Sequence, residues 1–215
     1  MNRQHVFLIA LALLSLVSCK SPQGTYLAQP EAMQAEGFYL HPASGMAFPL
    51  AVGSFQRVNL TRYDAEGLDV SAGYNLLTAG AGIAATVYVY PSPPLVSIGS
   101  PNDVVASARA TLCKNEFEAR KREIVVAHPG AKLVRESDAP LPQGGPPNPG
   151  KMAAFDYEEV FAGQQQPLHS ELYVFCYIGG KWTVKYRFTS PKSFDATDAI
   201  SDFMARLRWT ISTAS

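Results

Sequence analysis

The chain has 215 residues, of which 47% are hydrophobic, and its 18 Lys and Arg balance its 18 Asp and Glu. This apolar content excludes a disordered chain, and the glycines do not recur with the period of a fibrous one. Zero net charge argues against a nucleic-acid-binding protein, which would carry an excess of clustered Lys and Arg.

The first 18 residues have the layout of a secretory signal peptide. Arg3 lies in a short N-terminal region without acidic residues, and an apolar run over 6–17 follows it. This run is shorter than the about 20 apolar residues that a membrane-spanning helix needs. Small residues come after the run, as they do in a cleaved signal. We therefore predict a signal peptide over residues 1–18.

The segment Leu16-Val17-Ser18-Cys19 resembles the lipobox of bacterial lipoproteins. The resemblance implies that Cys19 receives a diacylglycerol group and becomes the mature N-terminus. Such a lipid is a stable anchor because each buried CH₂ adds about 0.8 kcal/mol. In Gram-negative lipoproteins an Asp after the cysteine retains the protein at the inner membrane, so Lys20 implies the outer membrane, facing the periplasm. An ordinary signal with a chance cysteine, or an uncleaved anchor, is the alternative.

The residues after the predicted anchor divide into a tether and one domain. Residues 19–36 contain Ser, Pro, Gln and Gly without a sustained period, which is typical of a tether that lifts a domain off the lipid surface. Residues 37–215 contain no internal repeat, and their number fits one domain. We predict a single domain over 37–215.

Alternating apolar and polar residues predict three strands in the first half of this domain, over 55–63, 68–76 and 83–90. Turns that contain glycine separate these strands. A long helix follows, with Ser100 as its N-cap and its end near His128.

The second half repeats this order of strands and then a helix. Four strands are predicted, over 131–136, 152–161, 168–178 and 181–189, and an amphipathic helix follows over 194–208. Several strands, a helix, several strands and a helix predict an α+β domain. We expect a mostly antiparallel sheet packed by two main helices.

Short segments at both ends of the domain resemble PsbP-like (DcrB-like) proteins. They are Met46-Ala47-Phe48-Pro49 near the start and Lys185-Tyr186-Arg187-Phe188-Thr189-Ser190-Pro191, with Leu207-Arg208-Trp209, near the end. The resemblance implies a sandwich in which a central antiparallel sheet lies between helices. It also implies an accessory or assembly role, because the group shares no catalytic residues that could be carried over.

Two further cysteines, Cys113 on the first predicted helix and Cys176 on a predicted strand, leave two interpretations open. An envelope protein lies in a compartment that permits disulfides, so the two residues can form a bridge between helix and sheet. Equally, both can be small buried hydrophobic residues, since free cysteine is among the most buried residue types.

Motifs for catalysis, metals and cofactors are weak in this sequence. The segment 80–85 fits the dinucleotide pattern G-x-G-x-x-A, but it leads into a strand where that site needs a helix. His169 and Glu171 share one face of a strand and could begin an acid/base or metal site, but no third ligand follows from the spacing. We predict no catalytic residue, no metal and no cofactor.

Tyrosines and arginines on the strands are the better functional lead, because both residue types are favoured at binding hot spots. The wider set is Tyr63, Tyr74, Tyr88, Tyr90, Tyr173, Tyr177, Tyr186, Arg57, Arg62 and Arg187. Within it we predict a binding face of Tyr74, Tyr88, Tyr90 and Arg187, joined by His169 and Glu171. The alternative is that tyrosine is simply a good strand residue, half-covered by helices.

These observations favour a non-catalytic periplasmic lipoprotein that contacts the membrane through its lipidated N-terminus and binds a protein partner or helps to assemble one. The alternative is a domain that binds a small ligand or an envelope polymer through the Tyr/Arg face, and a hydrolase is the third interpretation. One concave Tyr/Arg pocket would favour the ligand-binding domain. A flat exposed apolar patch would favour a protein partner, and converging titratable groups would favour an enzyme.

Overall fold

A computed structural model provides the structure of the protein and describes residues 24–78, 81–96, 98–142 and 150–209. The first part of the chain forms strands β1 (Tyr26–Ala32), β2 (Tyr39–Leu40), β3 (Ala47–Phe48), β4 (Ala51–Val52), β5 (Phe55–Asp64), β6 (Val70–Thr78) and β7 (Ala81–Pro91). The second part forms helix α1 (Asn102–Ala127), strands β8 (Lys132–Ala139), β9 (Gly150–Phe161), β10 (Gln164–Ile178) and β11 (Trp182–Pro191), and helix α2 (Thr197–Arg206). Neither helix in these ranges has the length and apolar character needed to cross a membrane.

The architecture is one large antiparallel sheet built from two meanders. Its strands lie in the order β1-β5-β6-β7-β11-β10-β9-β8, with β4 also paired to β5, and β2 and β3 form a small separate sheet. The meanders meet where β7 pairs with β11, from Trp182 opposite Pro91 to Thr189 opposite Ala84. Helix α1 makes the connection between them, because it follows β7 and precedes β8 in the chain.

Each strand sends alternate side chains to opposite faces of the sheet. On one face, which we call the α2 face, Val87, Val184 and Phe188 are buried in the main core with Phe203 of helix α2. On the other, the α1 face, Phe117 and Ile124 of helix α1 pack in a second cluster with residues of β9 and β10. Helix α1 contacts mainly β9 and β10, and so it lies over the second meander.

The predicted fold class is wrong. The strands do pair antiparallel, but 49% of the described residues are strand and 21% are helix, in a large β-sandwich-like sheet. The α+β arrangement with two main helices packing the sheet, and with it the PsbP-like sandwich, is therefore not the fold. The physical reason lies in the helices, since α1 buries only Phe117 and Ile124 and α2 only Ile200 and Phe203. Most of the core comes from the strands.

Part of the segment predicted as a tether is an edge strand. Strand β1 pairs with β5 along an irregular register, with Tyr26 opposite Asp64 and Ala32 opposite Thr61. Nearly all of its side chains are exposed, so its sequence carries no apolar alternation by which it could be recognised. An edge strand needs backbone pairing on one side and no buried side chains.

The two cysteines of the domain are joined in the structure, which corresponds to the first of the two open interpretations. The Cys113–Cys176 disulfide has an S–S length of 2.04 Å and a Cα–Cα distance of 5.8 Å. It links α1 to β10, and Cys176 also packs against the second cluster beneath the helix. The bridge holds α1 in place over the sheet.

Candidate functional site

A cavity of about 520 Å³ lies on the α1 face beside helix α1, where the helix meets the first meander. This volume is within the range of roughly 300–1,000 Å³ that is common for small-molecule sites. We call it the tyrosine pocket. Its lining residues are Tyr26, Leu27, Pro30, Tyr63, Asp69, Tyr88, Tyr90, Arg120, Glu123 and Lys185.

Strand alternation places the tyrosines of β7 in this pocket. Val87 and Val89 are buried on the α2 face. Because side chains alternate along a strand, Tyr88 and Tyr90 point to the α1 face. Tyr88 lies opposite Lys185 on β11 and opposite Ser71 on β6. Residues directly opposite each other in antiparallel strands share a face, which brings the lysine beneath the tyrosine rings.

Lys185 forms the floor of the tyrosine pocket. Its Nζ lies 3.8 Å from the centroid of the Tyr88 ring and 5.9 Å from that of Tyr90. The nearest carboxylate oxygen is Glu123 Oε2 at 4.0 Å, which is beyond hydrogen-bonding distance, and the side chain is 12% exposed. Burial, followed by the neighbouring charge of Arg120, lowers the pKa of Lys185 to about 8.

A row of charged residues on helix α1 forms one wall. Arg120 Nε donates to Glu116 Oε1 over 2.8 Å, and a second guanidinium nitrogen donates to Glu123. The Tyr90 hydroxyl also donates to Glu116 Oε1, at 2.8 Å, and the Arg120 guanidinium lies 5.6 Å from the centre of the Tyr90 ring. These groups are therefore paired with one another.

Asp69, from the turn between β5 and β6, also lines the pocket. Both backbone polar groups of Asp69 are hydrogen-bonded, since its N–H donates to Asp64 Oδ1 at 3.1 Å and its carbonyl accepts from the N–H of Tyr63 at 2.9 Å. Within the described ranges its carboxylate has neither a hydrogen bond nor an ion pair. Burial, opposed in part by the positive charge of Lys185, raises the pKa of Asp69 to about 6.

Two further tyrosines lie toward the mouth of the pocket. The Tyr63 and Tyr88 rings are 6.0 Å apart between centroids, and the Tyr63 hydroxyl shares a 3.0 Å hydrogen bond with the Ser71 hydroxyl. Tyr26 on the edge strand β1 is 71% exposed. The pocket therefore combines a charged, buried floor with exposed aromatic surface at its rim.

The structure divides the predicted binding face between the two faces of the sheet. Tyr88 and Tyr90 line the tyrosine pocket, and Arg187 lies on the same face, where it donates to Ser170 Oγ at 3.4 Å and to the Tyr157 hydroxyl at 3.3 Å.

Tyr74 is fully buried on the α2 face, where its ring contacts Phe203 at 5.3 Å between centroids. His169 and Glu171 are also on the α2 face. Cys19, the predicted lipidation site, lies outside the described residues.

His169 and Glu171 belong to a network of charges across strands β8 to β11. His169 Nδ1 is 2.7 Å from Asp156 Oδ1, and its Nε2 is 3.5 Å from Glu171 Oε1. The Asp156 carboxylate also accepts from Lys192 at 2.6 Å, and Glu171 Oε1 also accepts from Arg135 at 3.1 Å. Both ring nitrogens thus face carboxylates that are paired with cations. The residues that the structure describes contain no group of three His, Cys, Asp or Glu suited to a metal ion.

The sequence analysis missed the charged pocket residues Asp69, Arg120, Glu123 and Lys185, and it placed Tyr26, Leu27 and Pro30 in the tether. One signal was present, because Glu116, Arg120 and Glu123 recur at helical spacing and so share a face of α1. That face is ordinarily assumed to point to solvent. Nothing local marks Lys185, since its burial depends on the helix that covers it.

No family model matches this chain, and no curated protein is significantly similar to it. The pocket must be interpreted from its own chemistry.

Proposed function

We propose that the protein is a lipid-anchored envelope protein whose tyrosine pocket binds a small polar ligand or one unit of an envelope polymer. The observation that carries this proposal is a pair of opposite charges at one cavity. The Lys185 ammonium and the Asp69 carboxylate both line it, and within the described ranges neither makes a hydrogen bond. Both side chains are only partly exposed, so a ligand that hydrogen-bonds to both charges is expected to gain affinity.

Binding is favoured over catalysis by the spacing of the ionisable groups. A nucleophile needs a base within about 2.6–3.2 Å to be activated. Lys185 Nζ lies 4.0 Å from its nearest carboxylate oxygen, and Glu116 is already used by Tyr90 and Arg120.

The predicted anchor is close to the pocket along the chain. Tyr26, at the rim, follows Cys19 by seven residues, which span at most about 25 Å when fully extended. If Cys19 carries lipid, the pocket is therefore held near the membrane surface. Substitution of Cys19 by alanine should move the protein from the membrane fraction to the soluble periplasmic fraction, whereas continued sedimentation with membranes would argue against lipidation.

The pocket is tested by a ligand screen on the full-length protein purified in detergent. Compounds that raise the melting temperature of the wild type are measured again on Lys185→Met, with Lys132→Met as the matched control because Lys132 is exposed on strand β8. We expect a ligand that stabilises the wild type and Lys132→Met but not Lys185→Met. Equal stabilisation of all three proteins would place binding elsewhere and reject the pocket.

An accessory role with a protein partner stays a prediction from the sequence. Cross-linking in intact cells, compared between wild type and Cys19→Ala, tests it separately. A stoichiometric partner that is lost in the variant would support this role independently of the pocket.

A further inference from the structure

The charges around the tyrosine pocket discriminate between classes of ligand. A pocket of tyrosine rings can bind a ligand cation through the ring faces, as aromatic cages do. Here that position is filled by the protein's own cations, because Lys185 Nζ lies over Tyr88 at 3.8 Å and Arg120 lies over Tyr90 at 5.6 Å. A cationic ligand would be repelled by both side chains.

An anionic ligand is not favoured either. Glu116 and Glu123 are paired with Arg120, so this cation is not free to meet a ligand carboxylate or phosphate. Asp69 adds a further negative charge at the cavity. The charges that line the cavity balance, with Asp69 and Glu123 against Arg120 and Lys185, so an added anion gains no net attraction there.

A neutral ligand that offers both donors and acceptors fits the groups that remain. The Lys185 ammonium can only donate hydrogen bonds, whereas the ionised Asp69 carboxylate can only accept them. Adjacent hydroxyl groups on one ring satisfy both, since one hydroxyl accepts from Lys185 while its neighbour donates to Asp69. The exposed ring of Tyr26 and the partly exposed ring of Tyr63 supply flat apolar surface beside these polar groups, against which the C–H face of such a ring can pack.

We propose that the tyrosine pocket binds a neutral pyranose ring of an envelope glycan through two neighbouring hydroxyls, which are held by Lys185 and Asp69, while the ring packs against Tyr63 and Tyr26. This inference rests on the proposed function and names the chemical class of its ligand. The same sugar chemistry occurs in cell-wall polymer and in glycolipid headgroups.

The test uses the full-length protein in detergent and a panel of neutral tetrasaccharides with gluco, galacto and N-acetylgluco configurations. Choline and a uronic acid tetrasaccharide represent the cationic and anionic classes. Isothermal titration calorimetry should detect binding of at least one neutral sugar and neither charged probe. Lys185→Met and Asp69→Asn should each weaken that binding by about tenfold or more, as expected for loss of a hydrogen bond to a charged group.

Two variants control for folding. Lys132→Met should bind like the wild type, because Lys132 is exposed on β8 and does not line the pocket. Tyr26→Ala removes a ring that is 71% exposed, so it should leave the melting temperature unchanged and still weaken sugar binding. Undiminished sugar binding by Tyr26→Ala, Lys185→Met and Asp69→Asn together would overturn the proposal.

The results separate this inference from the proposed function. If choline or the uronic acid binds at the pocket and no neutral sugar does, the ligand class is wrong while the pocket keeps its binding role. If no probe or library compound binds, the proposed function fails with it. Sedimentation with purified cell-wall glycan and with glycolipid vesicles, each competed by the soluble tetrasaccharide, then identifies the source of the sugar.

Discussion

Replacement of Lys185 by methionine should stabilise the protein at neutral pH. Lys185 is 12% exposed, and burial, followed by the charge of Arg120, lowers its pKa from 10.5 to about 8. Since each pKa unit corresponds to about 1.4 kcal/mol, the protonated lysine costs the folded state about 3 kcal/mol. Methionine fills a similar volume without a charge, but it gives up the contact with the Tyr88 ring, which is worth about 1–2 kcal/mol. The expected net gain in unfolding free energy at pH 7 is about 1–2 kcal/mol.

The sign of the pH dependence follows from the same shift. Below pH 8 the lysine is protonated in both folded and unfolded states, so the full cost of burial is present. Between pH 8 and 10.5 the folded state has released its proton and the unfolded state has not, so the wild type gains stability relative to Lys185→Met as the pH rises. The advantage of the variant should therefore shrink across this interval.

Urea unfolding of wild type, Lys185→Met and Lys132→Met, at pH values from 7 to 10.5 and constant ionic strength, measures this difference. Lys132→Met should follow the wild type at every pH, because Lys132 is exposed. A less stable Lys185→Met at pH 7, with a difference from wild type that does not change with pH, would show that the buried charge of Lys185 does not destabilise the fold. The expected result would mean that the pocket keeps a destabilising charge, as binding sites often do.

Three further predictions concern the pocket, the disulfide and the core. Burial raises the pKa of Asp69 from 3.8 to about 6, so the stability of the wild type relative to Asp69→Asn should fall as the pH rises from about 4 through 6; unfolding curves that keep a constant offset over that interval would contradict it. Replacement of both Cys113 and Cys176 by serine should lower the unfolding free energy by about 4 kcal/mol, because the bridge closes a loop with a sequence separation of 63; a loss below about 1 kcal/mol in urea would mean that the bridge constrains little. Phe203→Ala should cost about 3–5 kcal/mol, since its ring contacts those of Phe55 at 4.7 Å and Tyr74 at 5.3 Å in the main core; calorimetry that finds an unchanged melting temperature would exclude this packing.

Strand positions could largely be predicted from the sequence because strand periodicity is local. The alternation of Val87, Tyr88, Val89 and Tyr90 requires that valines and tyrosines point to opposite faces, whatever strands lie beside β7. Strand β1 could not be predicted from alternation, because its side chains are exposed and only its backbone pairs with β5. A periodic pattern predicts a helix in the same local way, but not how much of a sheet the helix covers.

The predicted fold class was wrong because the helical pattern does not show how much of the sheet the helix covers. Val105, Ala108 and Leu112 recur with Phe117 and Ile124 at helical spacing, yet only the last two are buried. An apolar stripe shows which side of a helix can pack. Its sequence does not show whether a partner surface reaches every turn, and here α1 contacts mainly β9 and β10.

The strand alternation, the two helices and the orientation of the β7 tyrosines follow from the sequence, because they depend on neighbours a few residues away. The tyrosine pocket exists only in the assembled fold. Tyr88 and Lys185 meet because β7 pairs with β11 across the junction of the two meanders, and the wall of Glu116, Arg120 and Glu123 comes from a helix between them in the chain. The pKa of Lys185 is lowered by what covers it, and desolvation depends on the assembled fold rather than on any local pattern.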